Sequence, residues 1–417
     1  TIVTAGQGVS GTFAGVTDSL PLLDAALSYQ PDSVLLTLIR NDQSLAGLGR
    51  TPNQRATGAG IDSLGGGPLE DVLSVLDDAE VLAALDLLSG EIHASVKGAF
   101  IEESRYLREA VIGRLRQSFG AAGPGHAEEG LAIRGAAAQP ETGTPSGIWG
   151  AIIGAVGSFD SDGNAAEFER NTAGVLAGID GAAGETGRLG LVVGYTHSSF
   201  DVDDRMSSGS SENLHLGVYG GVELGALGVR LGAAYSRHFV DISRKASFGD
   251  FSESLSADYD AGTAQLFGEA GYRLGVVSAF LEPFAGLAYV NVHTDDFTET
   301  KGAAALSQGS SDTDQVFTTL GLRAMTPLAL GSSAATVTGM IGWRHAFGKI
   351  TPEADLSFAG GSAFEIEGTP IARDALAVQA GIDMRIGESS RLGLFYSGQI
   401  GDDMEDHAAT ASLMVGF

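Results

Sequence analysis

The stretch Arg188–Tyr195, RLGLVVGY, decides the fold. Leu189, Leu191, Val193 and Tyr195 alternate with Arg188, Gly190, Val192 and Gly194. A period of two places the first set on one face of a β-strand and the second on the other. The same alternation returns in four more stretches. Val229, Leu231, Ala233 and Tyr235 share a face, as do Leu266, Gly268, Ala270 and Tyr272. So do Ala279, Leu281, Pro283, Ala285, Leu287 and Tyr289, and likewise Leu392, Leu394 and Tyr396. One face is apolar and ends in an aromatic. The other holds Gly, Ser, charge and an occasional Phe. A soluble sandwich also alternates, but its wet face is rich in Lys, Glu and Thr. Small inward residues and a terminal Tyr suit a membrane barrel with an interfacial aromatic girdle.

Working outward, twelve strands are expected, at 147–159, 166–180, 187–199, 212–223, 226–239, 257–273, 276–294, 313–326, 333–348, 364–385, 390–400 and 405–417. Connections after the first, third, fifth, seventh and ninth strands are polar and Gly/Ser/Asp-rich, as at Asp201–Ser211, Asp241–Leu255 and Thr294–Asp312. Those after even strands are mostly tight, as at Gly181–Thr186, Leu224–Gly225, Leu274–Gly275 and Ile386–Ser389. Long loops on one side and short turns on the other are expected of a 12-stranded antiparallel outer-membrane barrel. The chain has no Cys, which removes disulfides and thiol catalysis. A net charge of −28 excludes a nucleic-acid partner. Mean hydropathy is +0.12 with 61 Gly, and no apolar run is long enough for a membrane helix. With no start Met and no signal peptide, Thr1 is expected to begin a mature chain or a fragment.

Upstream of Ile148 the period changes. Residues 1–40 suggest short strands at Thr1–Thr4, Gly11–Val16 and Ser33–Ile39. Helices are expected from Pro68 to Leu76, over Asp78–Leu88 and, most strongly, over Ser89–Phe119 with Ser89 as its cap. Ile92, Val96, Phe100, Leu107, Val111 and Leu115 supply the helical spacing. Gly120–Gly147 has linker composition. The divisions expected are 1–50, a helical junction at 51–119, a linker at 120–146 and a barrel at 147–417.

A twelve-stranded barrel is wider than wall side chains alone fill. Arg188, Arg230, Glu269, Glu282, Arg323, Arg344 and Arg391 are expected to face its lumen. The strongest helix carries Lys97, Glu102, Glu103, Arg105, Arg108, Arg114 and Arg116. A mixed-charge helix threaded through the lumen can pair with such walls, and this is favoured over packing on the N-terminal strands. No nucleophile elbow, zinc-protease motif or P-loop occurs, so neither catalytic residues nor cofactors nor a metal are expected. Asp160–Asn164 superficially resembles a calcium loop, but Gly163 is misplaced for one, and a strand-connecting turn is expected instead.

These residues resemble the C-terminal part of a Gram-negative monomeric autotransporter (type V secretion). The stretches that carry the likeness are GRLGLVVGY (Gly187–Tyr195), FLEPFAGLAY (Phe280–Tyr289), GWRHAFG (Gly342–Gly348), GTPIARDALAVQAG (Gly368–Gly381) and ASLMVGF (Ala411–Phe417). TPNQR (Thr51–Arg55) and Leu87–Leu115 resemble the junction before such barrels, and Phe13–Thr37 the end of a β-helical passenger. The resemblance implies an all-β transmembrane barrel preceded by a pore helix and a β-helix stub. It implies a translocator and anchor in the outer membrane, displaying its own passenger at the cell surface. The implied partners are outer-membrane lipid, the barrel-assembly machinery and periplasmic chaperones. Leu413, Val415 and Phe417 are then the assembly signal at the C-terminus. The helix has no Asn–Asn pair of the kind self-cleaving members use. The alternatives are a diffusion porin, an autotransported enzyme whose catalytic passenger is mostly missing, and a soluble β-rich binding protein.

Overall fold

The computed structural model of the chain describes residues 1–119, 146–276, 279–300, 302–330, 333–386 and 389–416. The expected linker at 120–146, save Ser146, and Phe417 lie outside the described residues. The barrel strands are β1 (Gly147–Phe159), β2 (Phe168–Ala183), β3 (Gly187–Val202), β4 (Ser207–Leu224), β5 (Leu227–Phe248) and β6 (Phe251–Tyr272). They continue as β7 (Ala279–Thr294), β8 (Ser311–Leu330), β9 (Ser333–Phe347), β10 (Asp374–Arg385), β11 (Ser390–Gly401) and β12 (Met404–Gly416). Each pairs antiparallel with the next, and β12 returns to β1 from Met404 opposite Phe159 to Gly416 opposite Gly147. The sheet is therefore closed, which leaves no strand edge in lipid.

Alternation sets the two faces. Leu189, Leu191, Val193, Leu231, Leu287 and Leu394 point outward and are exposed, whereas Val192, Phe267 and Ala288 point inward and are buried. Tyr195, Tyr235, Tyr289 and Tyr396 lie on the outer face towards the end with the long loops, and Tyr272 towards the end with the short turns. Leu413 and Val415 are outward as well.

The loops are more ordered than their composition suggests. Asp241–Leu255 is not a loop: β5 and β6 continue to a two-residue turn at Gly249–Asp250, with Phe248 opposite Phe251. The alternation persists there, but the outward residues change from Leu and Tyr to Ser, Asp and Lys as the hairpin leaves lipid for water. The expected strand 364–385 is two strands, Phe364–Glu367 and β10, interrupted around Pro370. Phe364–Glu367 joins Phe297–Thr298, Leu306–Gln308 and Glu353–Phe358 in a four-stranded sheet over the barrel mouth.

The N-terminal strands are Val3–Thr4, Leu23–Tyr29 and Ser33–Arg40, forming one antiparallel sheet. Gly11–Val16 is not a strand, and Leu23–Tyr29 replaces it. Five helices follow: α1 (Leu45–Leu48), α2 (Pro52–Asp62), α3 (Pro68–Leu73), α4 (Asp78–Leu88) and α5 (Ile92–Ser118). α2 lacks apolar periodicity and so escapes a hydrophobic reading. Its start is nevertheless written as a capping box, in which Thr51 accepts from the Gln54 backbone and Gln54 reaches back. Ser89 does not cap α5; its hydroxyl donates to the Asp86 carbonyl, and the chain turns at Gly90 (φ +69°) before Glu91 begins the helix. α2 lies on the mouth sheet, with Gly60 against the Phe364 ring, where any Cβ would stand 2.4 Å from it. One apolar core runs from Leu45, Ile61 and Leu73 through Leu88 and Ile92 to Leu306, Leu356 and Ile366. It carries the helical cap straight into the barrel.

Candidate functional site

The site is the lumen and the helix within it. α5 has 27 residues and at 1.5 Å each spans about 40 Å, more than the ~25 Å apolar band of such barrels. Gly90, just before it, meets Leu306 and Leu356 of the mouth sheet, Gly98 meets Pro352, and at its other end Arg114 and Phe119 reach Gly147 and Gly221 at the short-turn end. Every residue from Ile92 to Leu107 is buried. The helix lies towards β2–β7. Phe100 stacks on the His238 ring at 4.0 Å and meets Phe200 edge-on. On the other side a cleft remains, lined by Met325, Thr338, Gln379, Ser397, Thr410 and Met414. Threading through the lumen is thus the observed arrangement.

Charged side chains tie helix to wall at three levels. At the mouth, His93 Nε2 lies 2.9 Å from Glu299 Oε1, and Arg244 donates to both Glu299 oxygens at 2.7 and 2.8 Å. Arg244 also donates to the Leu87 carbonyl, joining α4 to the same point. Lys97 donates to the Ser311 hydroxyl and the Glu353 carbonyl.

At mid-lumen, Arg344 donates to Glu102 at 2.5 Å and the Thr172 hydroxyl to Glu103 at 2.7 Å. Arg108 donates to Gln265 at 3.0 Å. Arg105 and Tyr106 both donate to Asp406, which Arg170 reaches from the wall.

At the short-turn end, Arg114 donates to Asp180 through Nε and Nη2 at 2.6 and 2.8 Å. Arg188 and the Tyr219 hydroxyl donate to the same carboxylate. Arg116 lies 3.8 Å from Glu269, which belongs to a wall cluster with Arg230, Glu282 and Arg323.

Six of the seven wall residues expected in the lumen are buried there; Arg391 is half-buried at the end of β11, opposite Met414 and Arg385. Arg344 and Glu269 meet helix charges directly, and Arg188 shares Asp180 with Arg114. Arg230, Glu282 and Arg323 hold one another on the wall. The sequence reading missed Asp180, Arg170, Asp406, Arg244 and Glu299. The first three sit at inward positions of β2 and β12, so their parity carried the signal. Glu299 lies in a loop that has no periodicity to read. In the Asp160–Asn164 turn, Asp162 accepts from the Asn164 and Ala165 backbones, so its carboxylate closes the turn.

The mouth latch responds to pH. Burial works against ionisation of Glu299, but the Arg244 guanidinium and the hydrogen bonds from Arg244 and His93 outweigh it and hold the carboxyl well below its usual range. A depressed carboxyl contributes stability that is present above its unfolded value, about 4.3, and lost as pH falls through the folded one. Glu299→Gln is expected to loosen the cap at pH 7, read as faster proteolysis of residues 45–88. The difference from wild type should shrink below about pH 4. A difference that does not change with pH would discard the latch.

Residues 148–397 match the family model described as Autotransporter beta-domain. Two proteins of Serratia marcescens, each described as an extracellular serine protease, are 32% and 31% identical over 461 aligned residues. The matches cover 100% of this chain and 43% of theirs, so the chain spans less than half the length of these curated relatives. The translocator domain of the autotransporter NalP from Neisseria meningitidis superposes with a TM-score of 0.57 at 17% identity, over 76% of this chain and 98% of that one. The β-domain of the Bordetella autotransporter BrkA gives 0.50 at 19%, over 66% and 100%. At these identities the structural likeness speaks for the fold.

Proposed function

From a chain that belongs to the autotransporter β-domain family, we infer a translocator held in its finished state, with its own linking helix still in the pore. The domain is an outer-membrane translocator of a Gram-negative bacterium that displays a passenger at the cell surface. The finer reading is that α5 both plugs the lumen and tethers what precedes it. Residues 1–50 form the end of the passenger, 51–119 the junction and pore helix, 120–146 the linker and 147–417 the barrel. The observation behind this reading is the ladder of helix contacts: the His93 hydrogen bond to Glu299 at the mouth and the ion pairs to Asp406 and Asp180 below it. A helix merely resting on the outside would not bury Arg105 against Asp406 of β12 and Arg114 against Asp180 of β2.

The passenger, by the names of the Serratia relatives, is an extracellular serine protease. The outward-facing Leu413 and Val415, together with Phe417, form the signal read by the barrel-assembly machinery, and periplasmic chaperones escort the unfolded strands. Single-channel recording tests the plug. The full chain is expected to pass little current, and a chain lacking Ser89–Phe119 to show a steady open pore. Equal conductance would mean that the helix does not fill the lumen.

A further inference from the structure

A closed antiparallel barrel has one seam at which its first and last strands must find each other. Here the register places Asp406 of β12 opposite Gly157 of β1, and Gly157 opposite Arg170 of β2. All three positions face the lumen. Arg170 and Asp406 are 1% and 0% exposed, and the guanidinium passes over Gly157 to donate to the carboxylate. A Cβ on Gly157 would stand 3.0 Å from Arg170 Nη2 and 3.4 Å from Asp406 Oδ2, so the side chain missing at Gly157 is what opens the path. Arg170 is anchored from the helix side, donating to the Ala99 carbonyl at 3.1 Å and to the Tyr106 hydroxyl at 3.0 Å. Tyr106 in turn donates to Asp406 at 3.0 Å.

We propose that Arg170, Gly157 and Asp406 form a clasp across the barrel seam, with Arg170 a positioning residue for closure. The clasp bridges β2 to β12 over the strand between them. Its outer partner, the carboxylate, is fully met only when Arg105 and Tyr106 of the helix are also in place. The seam contact and the helix contact thus share one carboxylate but hold different elements. The reading rests on the helix being in the lumen, but it adds a claim about the seam that a plug alone does not make.

The test uses the full chain refolded in detergent and the absence of native Cys. Ile152 and Ala411 are outward-facing partners directly opposite each other across the seam, so Ile152→Cys with Ala411→Cys gives a seam lock. Arg170→Gln is expected to lower the temperature at which the folded gel band is lost by roughly 10 °C. Oxidising the seam cysteines should restore most of that loss. Gly157→Val leaves every charge in place but blocks the path, and it should behave the same way, including rescue by the lock. Arg105→Gln removes a helix-side partner of the same carboxylate, and the lock should not rescue it. If the lock fails to rescue Arg170→Gln, or if Gly157→Val is as heat-resistant as wild type, the clasp is overturned. Current through the wild-type pore would refute the plug without touching this result.

Discussion

An Asp180→Ala barrel is expected to lose about 3–5 kcal/mol of stability, the scale of breaking a buried ion pair by removing one partner. Asp180 is 3% exposed and accepts from Arg114, Arg188 and the Tyr219 hydroxyl. Removing it takes the shared carboxylate away from two buried guanidinium groups and leaves the Trp149–Tyr219 hydrogen bond without its terminal acceptor. Arg114 belongs to the helix and Arg188 to β3, so the helix loses its hold at the end where it enters the barrel from below. The urea midpoint of the refolded chain measures the effect. Arg114→Met added to Asp180→Ala should recover part of the loss, because it removes one of the buried charges that lose this carboxylate. A variant with the wild-type midpoint would show that partners other than Asp180 satisfy these arginines.

Arg at Leu191 is expected to be nearly as damaging. Leu191 is 53% exposed on the outer face, so its exposure is to lipid, and a cation near the bilayer midplane is destabilising by about 2–4 kcal/mol. The same substitution should be harmless in a soluble sandwich with a wet outer face, which makes lipid-vesicle refolding yield a direct readout. The opposite face is no more tolerant at its glycines. Polar residues at Gly190 or Gly232 are an obvious choice for lumen positions, but a Cβ there would lie 2.4 Å from the Tyr219 ring or the Phe267 ring. These inward glycines make room for neighbouring aromatics, so serine at either position is expected to destabilise through overpacking despite its polarity.

How much of this was legible in the sequence follows from the range of each interaction. Alternation along a strand is local, so the twelve strands, their inward and outward faces and the uneven connections could be read residue by residue. β1 was read with its observed bounds, and the inward placing of Arg188, Arg230 and Arg344 followed from parity alone. The heptad-like spacing of Ile92, Phe100, Leu107 and Leu115 likewise announced the long helix. Ends were less legible where alternation outlasts the membrane, as in the β5–β6 hairpin. There the apolar face goes on packing against the cap while only the outer face turns polar.

The tertiary structure alone decided which charges meet. Arg105 and Asp406 are 301 positions apart, and Arg114 and Asp180 are 66 apart. Their pairing depends on the rotation and depth of the helix inside a closed cylinder. No local pattern encodes that depth. It is set by the fit of Phe100 against His238 and Phe200, of Gly98 against Pro352, and of the mouth sheet over Gly90. The loops that build that sheet, and with it Glu299, have no periodic signal, because their short hairpins are completed only where Leu306–Gln308 of one loop pairs with Glu353–Phe358 of another. Sequence thus determined a lipid-facing barrel and a helix suited to its interior. The closed fold chose the carboxylates that hold the two together, because only closure brings β2, β12 and the helix within reach of one another.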